Sequence, residues 1–190
     1  MIELMDGMLL YHGSYTSVSD IDLSRCLRGL DFGNGFYLTS SYEQAHDYVR
    51  LSVKKAVRIG NLPVAFQVAD GQVSVYRFHY DPNLLFHSFQ TANAEWLHFV
   101  AANRNKALFP ELLRKFQSTD IIAGKIANDQ TAKTLQKYLH DGYGKPGTPN
   151  ADADCIKDLM PNRLQDQFCF RTEDAIKCLE FIRSEPYGDR

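Results

Sequence analysis

A histidine, a tyrosine and a glutamate stand out in this chain for the residues around them. His12 closes the apolar run Leu10-Tyr11 and is followed by Gly13 and Ser14. Tyr37 lies in the segment Asp31-Phe32-Gly33-Asn34-Gly35-Phe36-Tyr37-Leu38-Thr39, and Glu95 stands two residues after Asn93. Each residue type suits one part of a single reaction. An aromatic face attracts a flat cationic ring through its quadrupole. Glycine has no side chain, so its backbone N–H and C=O can approach a ligand closely. A carboxylate lowers the energy of an oxocarbenium-like sugar, the state reached when a glycosidic bond to a cationic base breaks.

These side chains need elements to hold them. Residues 8–11 read as a short buried strand ending at Gly13, and residues 35–39 as a second. Ser40-Ser41-Tyr42-Glu43 has the form of a capping box with Ser40 as N-cap, opening a helix to about Val57 that stops near Gly60. Residues 62–68 and 73–78 are strand-like runs around Asp70-Gly71, a hairpin signal. Residues 84–89 form another apolar run, and Asn93 caps a helix through Glu95, Trp96 and Phe99 to about Arg104. Residues 120–124 read as a strand and 131–139 as a helix. Residues 141–154, with three glycines and two prolines, read as a loop. Residues 167–171 read as a last strand, and Thr172 as N-cap of a closing helix to about Ile182. The order has no strict βαβ rhythm, so it favours α+β over a doubly wound sheet. With no repeat and no long linker, residues 1–190 form a single domain.

Two segments, Leu10-Tyr11-His12-Gly13-Ser14 and the glycine segment ending in Tyr37, resemble in order and spacing the nicotinamide-binding half of the ADP-ribosyltransferases of the poly(ADP-ribose) polymerase and diphtheria-toxin class. Along most of its length the chain is also similar to uncharacterised bacterial proteins built on that pattern. The resemblance implies two packed, mostly antiparallel sheets with an NAD cleft between them and flanking helices. It implies NAD as substrate, no metal, and transfer of a single ADP-ribose to a protein or nucleic-acid acceptor. A toxin role follows by likeness to bacterial relatives, with an antitoxin protein as partner. It assigns the nicotinamide amide to the Gly13 backbone, a ribose hydroxyl of the adenosine side to His12, and ring stacking to Tyr37. Ser14 belongs to the same cofactor-binding strand end. Tyr48, eleven residues after Tyr37, matches the second tyrosine of the polymerases, though a helical tyrosine also serves plain packing. Glu95 is the catalytic carboxylate on this reading. It is equally placed as a first-turn residue favoured by the helix dipole. Arg28 would face the pyrophosphate or lie on the surface.

Two positions depart from the pattern. Ala45 stands where the polymerases carry a serine that helps hold the nicotinamide amide. Asn93 stands where arginine-directed transferases carry a second glutamate. Two other readings remain: an NAD-binding module without chemistry, which Ala45 favours, and an RNA 2′-phosphotransferase of the same fold. The charge counts against the second. Lys plus Arg number 21 against 23 Asp plus Glu, a net −2, with no basic excess for nucleic acid. The basic residues between Arg50 and Arg58 read as the solvated face of a helix.

Residues 15–30 and 141–154 are candidates for acceptor recognition, which commonly lies in loops. Cys26, Cys155, Cys169 and Cys178 form no Cys-x-x-Cys pair and read as reduced thiols. No apolar run spans a bilayer, and the acidic start lacks a signal peptide's basic region. The expected location is the cytoplasm. Asp31-Phe32-Gly33 lacks the companion motifs of a kinase. Lys145 is followed by Pro146, which rules out a phosphate loop after Gly142. His46, His79, His87, His98 and His140 have no metal-ligand spacing.

Overall fold

The computed structural model describes residues 2–26, 30–126, 129–160 and 164–188. Among these residues the strands are β1 (Leu9–Ser14), β2 (Phe36–Leu38), β3 (Gln72–Phe78), β4 (Phe86–Ser88), β5 (Ile121–Lys125), β6 (Asp166–Phe170) and β7 (Leu179–Pro186). The helices are α1 (Tyr42–Arg58), α2 (Ala94–Arg104), α3 (Pro110–Lys115), α4 (Asp129–Leu139), α5 (Pro149–Leu159) and α6 (Glu173–Lys177). The fold is α+β. One sheet has the order β1-β3-β7 and the other β2-β6-β5-β4. All pairings are antiparallel except β4 with β5.

The two sheets pack face to face, and strand alternation says why. Phe36, Leu38, Phe168 and Phe170 occupy every second position of the paired strands β2 and β6, so all four point the same way. They meet Leu10, Tyr76 and Phe78 of the first sheet. Tyr37 and Cys169 lie between them in sequence and point the other way, into a second core around α2. That helix buries Trp96, Leu97, Phe99, Val100, Ala101 and Ala102 and leaves Glu95, His98, Asn103 and Arg104 only partly covered. The Trp96 indole N–H donates to the Lys125 carbonyl at 3.2 Å and ties α2 to the end of β5. α1 covers the outer face of the first sheet, with Ala45, Val49 and Val53 against Val73.

Several sequence expectations are corrected. The cap of α1 is Ser41, whose hydroxyl accepts from Gln44 N–H at 3.2 Å. Ser40 is left outside because Thr39 is still paired with Tyr11, and the helix starts one residue later. Residues 62–68 form no strand, and there is no hairpin at Asp70-Gly71. Pro63 lacks a donor, Val64 is 90% exposed, and both edges of β3 are already taken by β1 and β7. Residues 149–154 belong to α5, not to a loop, because Pro149 sits in the first turn, where a missing N–H costs nothing. The closing helix is only α6; the chain from Leu179 is β7. Without β7 the second row of backbone groups on the buried strand β3 would go unpaired.

The contact that sets the site is the approach of β1 to α1. A Cβ added at Gly13 would lie 1.8 Å from the Ala45 carbonyl oxygen. Backbone cannot yield as a side-chain tip can, so Gly13→Ala should destabilise the fold by about 3 kcal/mol. Gly60→Ala, at φ +79 with nothing within 4 Å, should cost about 1 kcal/mol from backbone strain alone. Urea denaturation of the two variants would check this ordering.

Candidate functional site

β1 and β2 belong to different sheets yet meet at one antiparallel bridge. Tyr11 N–H donates to the Thr39 carbonyl at 2.8 Å, and Thr39 N–H to the Tyr11 carbonyl at 3.0 Å. On the other side, Phe78 N–H donates to the Met8 carbonyl at 2.9 Å. Backbone groups alternate along a strand, so even-numbered residues of β1 face β3 and odd-numbered ones face β2. Gly13 is odd-numbered and lies past the bridge. Its N–H and C=O therefore project from the edge of β1 beside Thr39, paired to neither sheet by this pattern.

His12 is even-numbered, and its ring lies between the sheets, 4.5 Å from the Phe36 ring. Nδ1 is 2.8 Å from the Tyr37 carbonyl oxygen. A carbonyl can only accept, so Nδ1 carries the hydrogen. Burial lowers the pKa of His12; the bond to Tyr37 works in the opposite sense and is the smaller effect. The ring is thus a neutral imidazole whose Nε2 is an acceptor, suited to a hydroxyl donor. Ser14, two residues on and on the same face, is buried at the end of β1.

Tyr37 is half-buried against the α2 core. Its hydroxyl donates to the Gly33 carbonyl at 2.7 Å and accepts from Phe32 N–H at 3.0 Å. Burial foremost, then Cys169 and Asp31 nearby, push its pKa well above the ordinary tyrosine value. The phenol therefore stays protonated and pins the glycine segment, while its backbone carbonyl orients His12.

α1 carries two more groups to this junction. The Thr39 hydroxyl donates to Gln44 Oε1 at 2.8 Å. Tyr48 lies four residues on from Gln44, one turn along the same stripe of helix. Ser52, a further turn along that stripe, accepts from Tyr15 N–H at 3.2 Å, so Tyr48 lies between two contacts of α1 with the β1–β2 junction, with Lys55 Nζ 5.2 Å from its ring centroid.

Glu95 is not part of this arrangement. Tyr37, Cys169, Ile122 and His87 form one row across the second sheet, in register through β2, β6, β5 and β4. Glu95 acts electrostatically on His87, at the far end of that row. Three strand spacings, about 14 Å, separate the two ends. There the Glu95 carboxylate accepts from Lys115 Nζ at 2.5 Å, in an exposed pair. The linear sequence conceals this separation, because β5 and β6 insert between the two edge strands from later in the chain. Arg28 lies outside the described residues.

Sequence reasoning missed a polar network beside Tyr37. Arg104 Nε and Nη2 donate to Asp31 Oδ1 at 2.9 and 2.6 Å, and Gln167 Nε2 donates to Asp31 Oδ2 at 3.4 Å. Asp31 and Gln167 are each 5% exposed. Breaking such a buried pair costs about 3–5 kcal/mol, whereas an exposed pair is worth about 1 or less. The network therefore anchors the glycine segment to α2 and β6 far more firmly than Lys115 holds Glu95. Its signal in the sequence was Gln167, a polar residue directly before the apolar run Phe168-Cys169-Phe170.

Among the described residues no group of three His, Cys, Asp or Glu side chains is placed to hold a metal, and no helix is long and apolar enough to cross a membrane. The family described as "Protein of unknown function (DUF3990)" matches residues 8–181. No curated protein and no solved structure matches the chain.

The lowered pKa of His12 has a consequence for stability. Between the folded and unfolded pKa values the unfolded chain binds more protons, so stability rises with pH across that window. The contribution is complete above about pH 6.5, the unfolded value, and is lost as pH falls through the lower folded value. His12→Gln should lose less stability than the parent between pH 7 and acidic pH, measured by urea midpoints across the range.

Proposed function

The chain belongs to this DUF3990 family, and we propose that it is an NAD-dependent mono-ADP-ribosyltransferase working at the junction of β1 and β2. The observation that carries the proposal is the pairing of a buried Gly13 backbone, lying past the last β1–β2 hydrogen bond, with a neutral, oriented His12. Gly13 N–H and C=O would hold the nicotinamide carboxamide, one donor and one acceptor for an amide that needs both. His12 Nε2 would accept from a ribose hydroxyl of the adenosine side. The Tyr48 ring would stack on nicotinamide, with Ser14 at the strand end; the Tyr37 ring, expected from the sequence to stack, is turned into the α2 core and would act through its carbonyl on His12 instead. ADP-ribose would pass to a protein or nucleic-acid acceptor in the cytoplasm, and a toxin held in check by an antitoxin protein is the role this implies.

One specific observation favours a second reading, an NAD-binding module without chemistry. The Glu95 carboxylate stands at the opposite edge of the second sheet, ion-paired with Lys115. Asp31, the carboxylate nearest Tyr37, is committed to Arg104 and Gln167. An amide at Gln167 stabilises a sugar cation less than a carboxylate does, since it carries no net charge.

Free nicotinamide, measured from NAD with the purified protein in the presence and absence of cell lysate, separates the two readings. The transferase should release nicotinamide. His12→Ala should reduce release by about tenfold or more, the loss of one ribose hydrogen bond. Glu95→Gln should leave release within about twofold, given its exposed pairing. Abolition by Glu95→Gln would return that carboxylate to the mechanism. No release, with NAD still raising the melting temperature, would establish the binding module. Neither release nor stabilisation would refute both readings.

A further inference from the structure

The two sheets end on different kinds of edge strand. β7, at the edge of the first sheet, carries Glu180, Arg183 and Glu185, ends at Pro186 and has a register shift beside Val75 and Tyr76. Charges, proline and bulges are devices that keep an edge strand from pairing with another chain. β4, at the edge of the second sheet, is short but carries none of them, in the run Leu84-Leu85-Phe86-His87-Ser88-Phe89-Gln90. Its backbone is open on one side. Ile121 N–H donates to the Leu85 carbonyl at 3.2 Å and Phe89 N–H to the Ala123 carbonyl at 2.9 Å. Odd-numbered residues of this run therefore face β5, and the N–H and C=O groups of Phe86 and Ser88 point outward. Among the described residues no backbone partner meets those groups. The N-terminal segment passes close by but is held through side chains: Ser88 Oγ and Gln90 Nε2 each donate to the Ile2 carbonyl at 3.0 Å.

Apolar side chains flank this edge on both faces of the sheet. Leu85 is 57% exposed and Phe86 42% exposed, and strand alternation sends them to opposite faces. On the Phe86 face the exposed Tyr80 borders a cleft of about 30 Å³, lined also by Leu4, Phe78, Leu84 and Ile121. A helix or a lipid surface lying on one face would leave the other apolar side chain in water. An added strand lies in the plane of the sheet and places its own side chains on both faces. The rim is acidic. Asp81 lines the cleft, Asp6 accepts from Tyr80 N–H at 2.8 Å beside it, and the exposed Glu3 precedes Leu4. Among the described residues none of these three carboxylates is in an ion pair. Lys115, towards the other face, is already paired with Glu95. An apolar segment with cationic flanks is the complement of this surface.

We propose that the outer edge of β4 binds an extended segment of a partner protein, apolar in the middle and flanked by Lys or Arg, which adds as a fifth strand to the second sheet. The outward backbone groups of Phe86 and Ser88 supply the hydrogen bonds. Leu85, Phe86 and Tyr80 are covered, and the carboxylates select the basic flanks. β4 and β2 are opposite edges of the sheet, so the site is separate from the nucleotide junction.

The test uses the peptide acetyl-Lys-Val-Phe-Val-Lys-amide, titrated into the intact isotope-labelled protein while NMR follows the Phe86 and Ser88 amides. One counterpart is N-methylated at its three central residues, which keeps the side chains and removes the donors a strand needs. Another has Glu in place of both Lys. Saturable shifts of both amides are expected with the lysine peptide. Binding should be at least about tenfold weaker for the N-methylated peptide and about fivefold weaker for the glutamate peptide. Leu85→Lys places a charge on the edge and should weaken the lysine peptide by about fivefold or more, with little change in melting temperature because the side chain is exposed. Absence of saturable shifts, equal binding by either counterpart, or undiminished binding by Leu85→Lys would overturn the proposal. Shifts of the same amides on raising the protein concentration alone would assign the edge to a second copy of the chain and overturn it too.

Discussion

The interaction on which the rest of the structure depends is the short seam between β1 and β2. Two backbone hydrogen bonds join Tyr11 to Thr39, and one side-chain bond joins His12 to the Tyr37 carbonyl. Each bond by itself contributes about 1 kcal/mol. The seam holds because both strands are anchored elsewhere, β1 on β3 and β2 on β6, and because Phe36, Leu38 and Leu10 pack between the sheets. The seam in turn decides where the sheets part. Past Tyr11 the odd-numbered face of β1 has no strand beside it, and that edge is where Gly13 lies. A site made from the place where two sheets stop pairing needs few special residues: a glycine, an oriented ring, and a helix close above them.

That closeness also limits what the site can contain. The Ala45 carbonyl approaches Gly13 so nearly that no side chain fits at position 13. Ala45 itself is 2% exposed. The small residue at position 45 thus has a packing reason beside its departure from the polymerase pattern. Tyr37 serves the same economy. Its hydroxyl fixes the loop at Phe32 and Gly33, its ring packs on the α2 core, and its carbonyl sets the His12 tautomer. The buried Arg104–Asp31–Gln167 network then locks that loop to α2 and β6.

Much of this was legible in the sequence where the signal is local. The strand at Tyr11, the Gly-x-Gly strand leading to Tyr37, the cap at Asn93 and the cap at Thr172 each depend on neighbours a few residues away. What was not legible depends on pairing between distant segments. β7 reads as a helical continuation until β3 needs a second partner. Residues 62–68 read as a strand until both edges of β3 are filled. Glu95 follows the right kind of cap at the right point in the order, yet β6 and β5 pair between β2 and β4 and carry it to the opposite edge. Asp31 and Gln167 are 136 residues apart and meet only in the folded chain. His12 and Gly13, by contrast, are adjacent, and their joint placement follows directly from strand alternation.

The central claim is that the Gly13 edge of β1 is a ligand-binding edge for nicotinamide. The most direct measurement is the Gly13 amide resonance in an isotope-labelled sample titrated with NAD. The account expects a saturable shift of the Gly13 N–H as it donates to the carboxamide, with His12 and Tyr48 shifting at the same NAD concentrations and Glu95 unmoved. A Gly13 amide that stays in place while NAD shifts residues elsewhere, or shifts nothing, would contradict it.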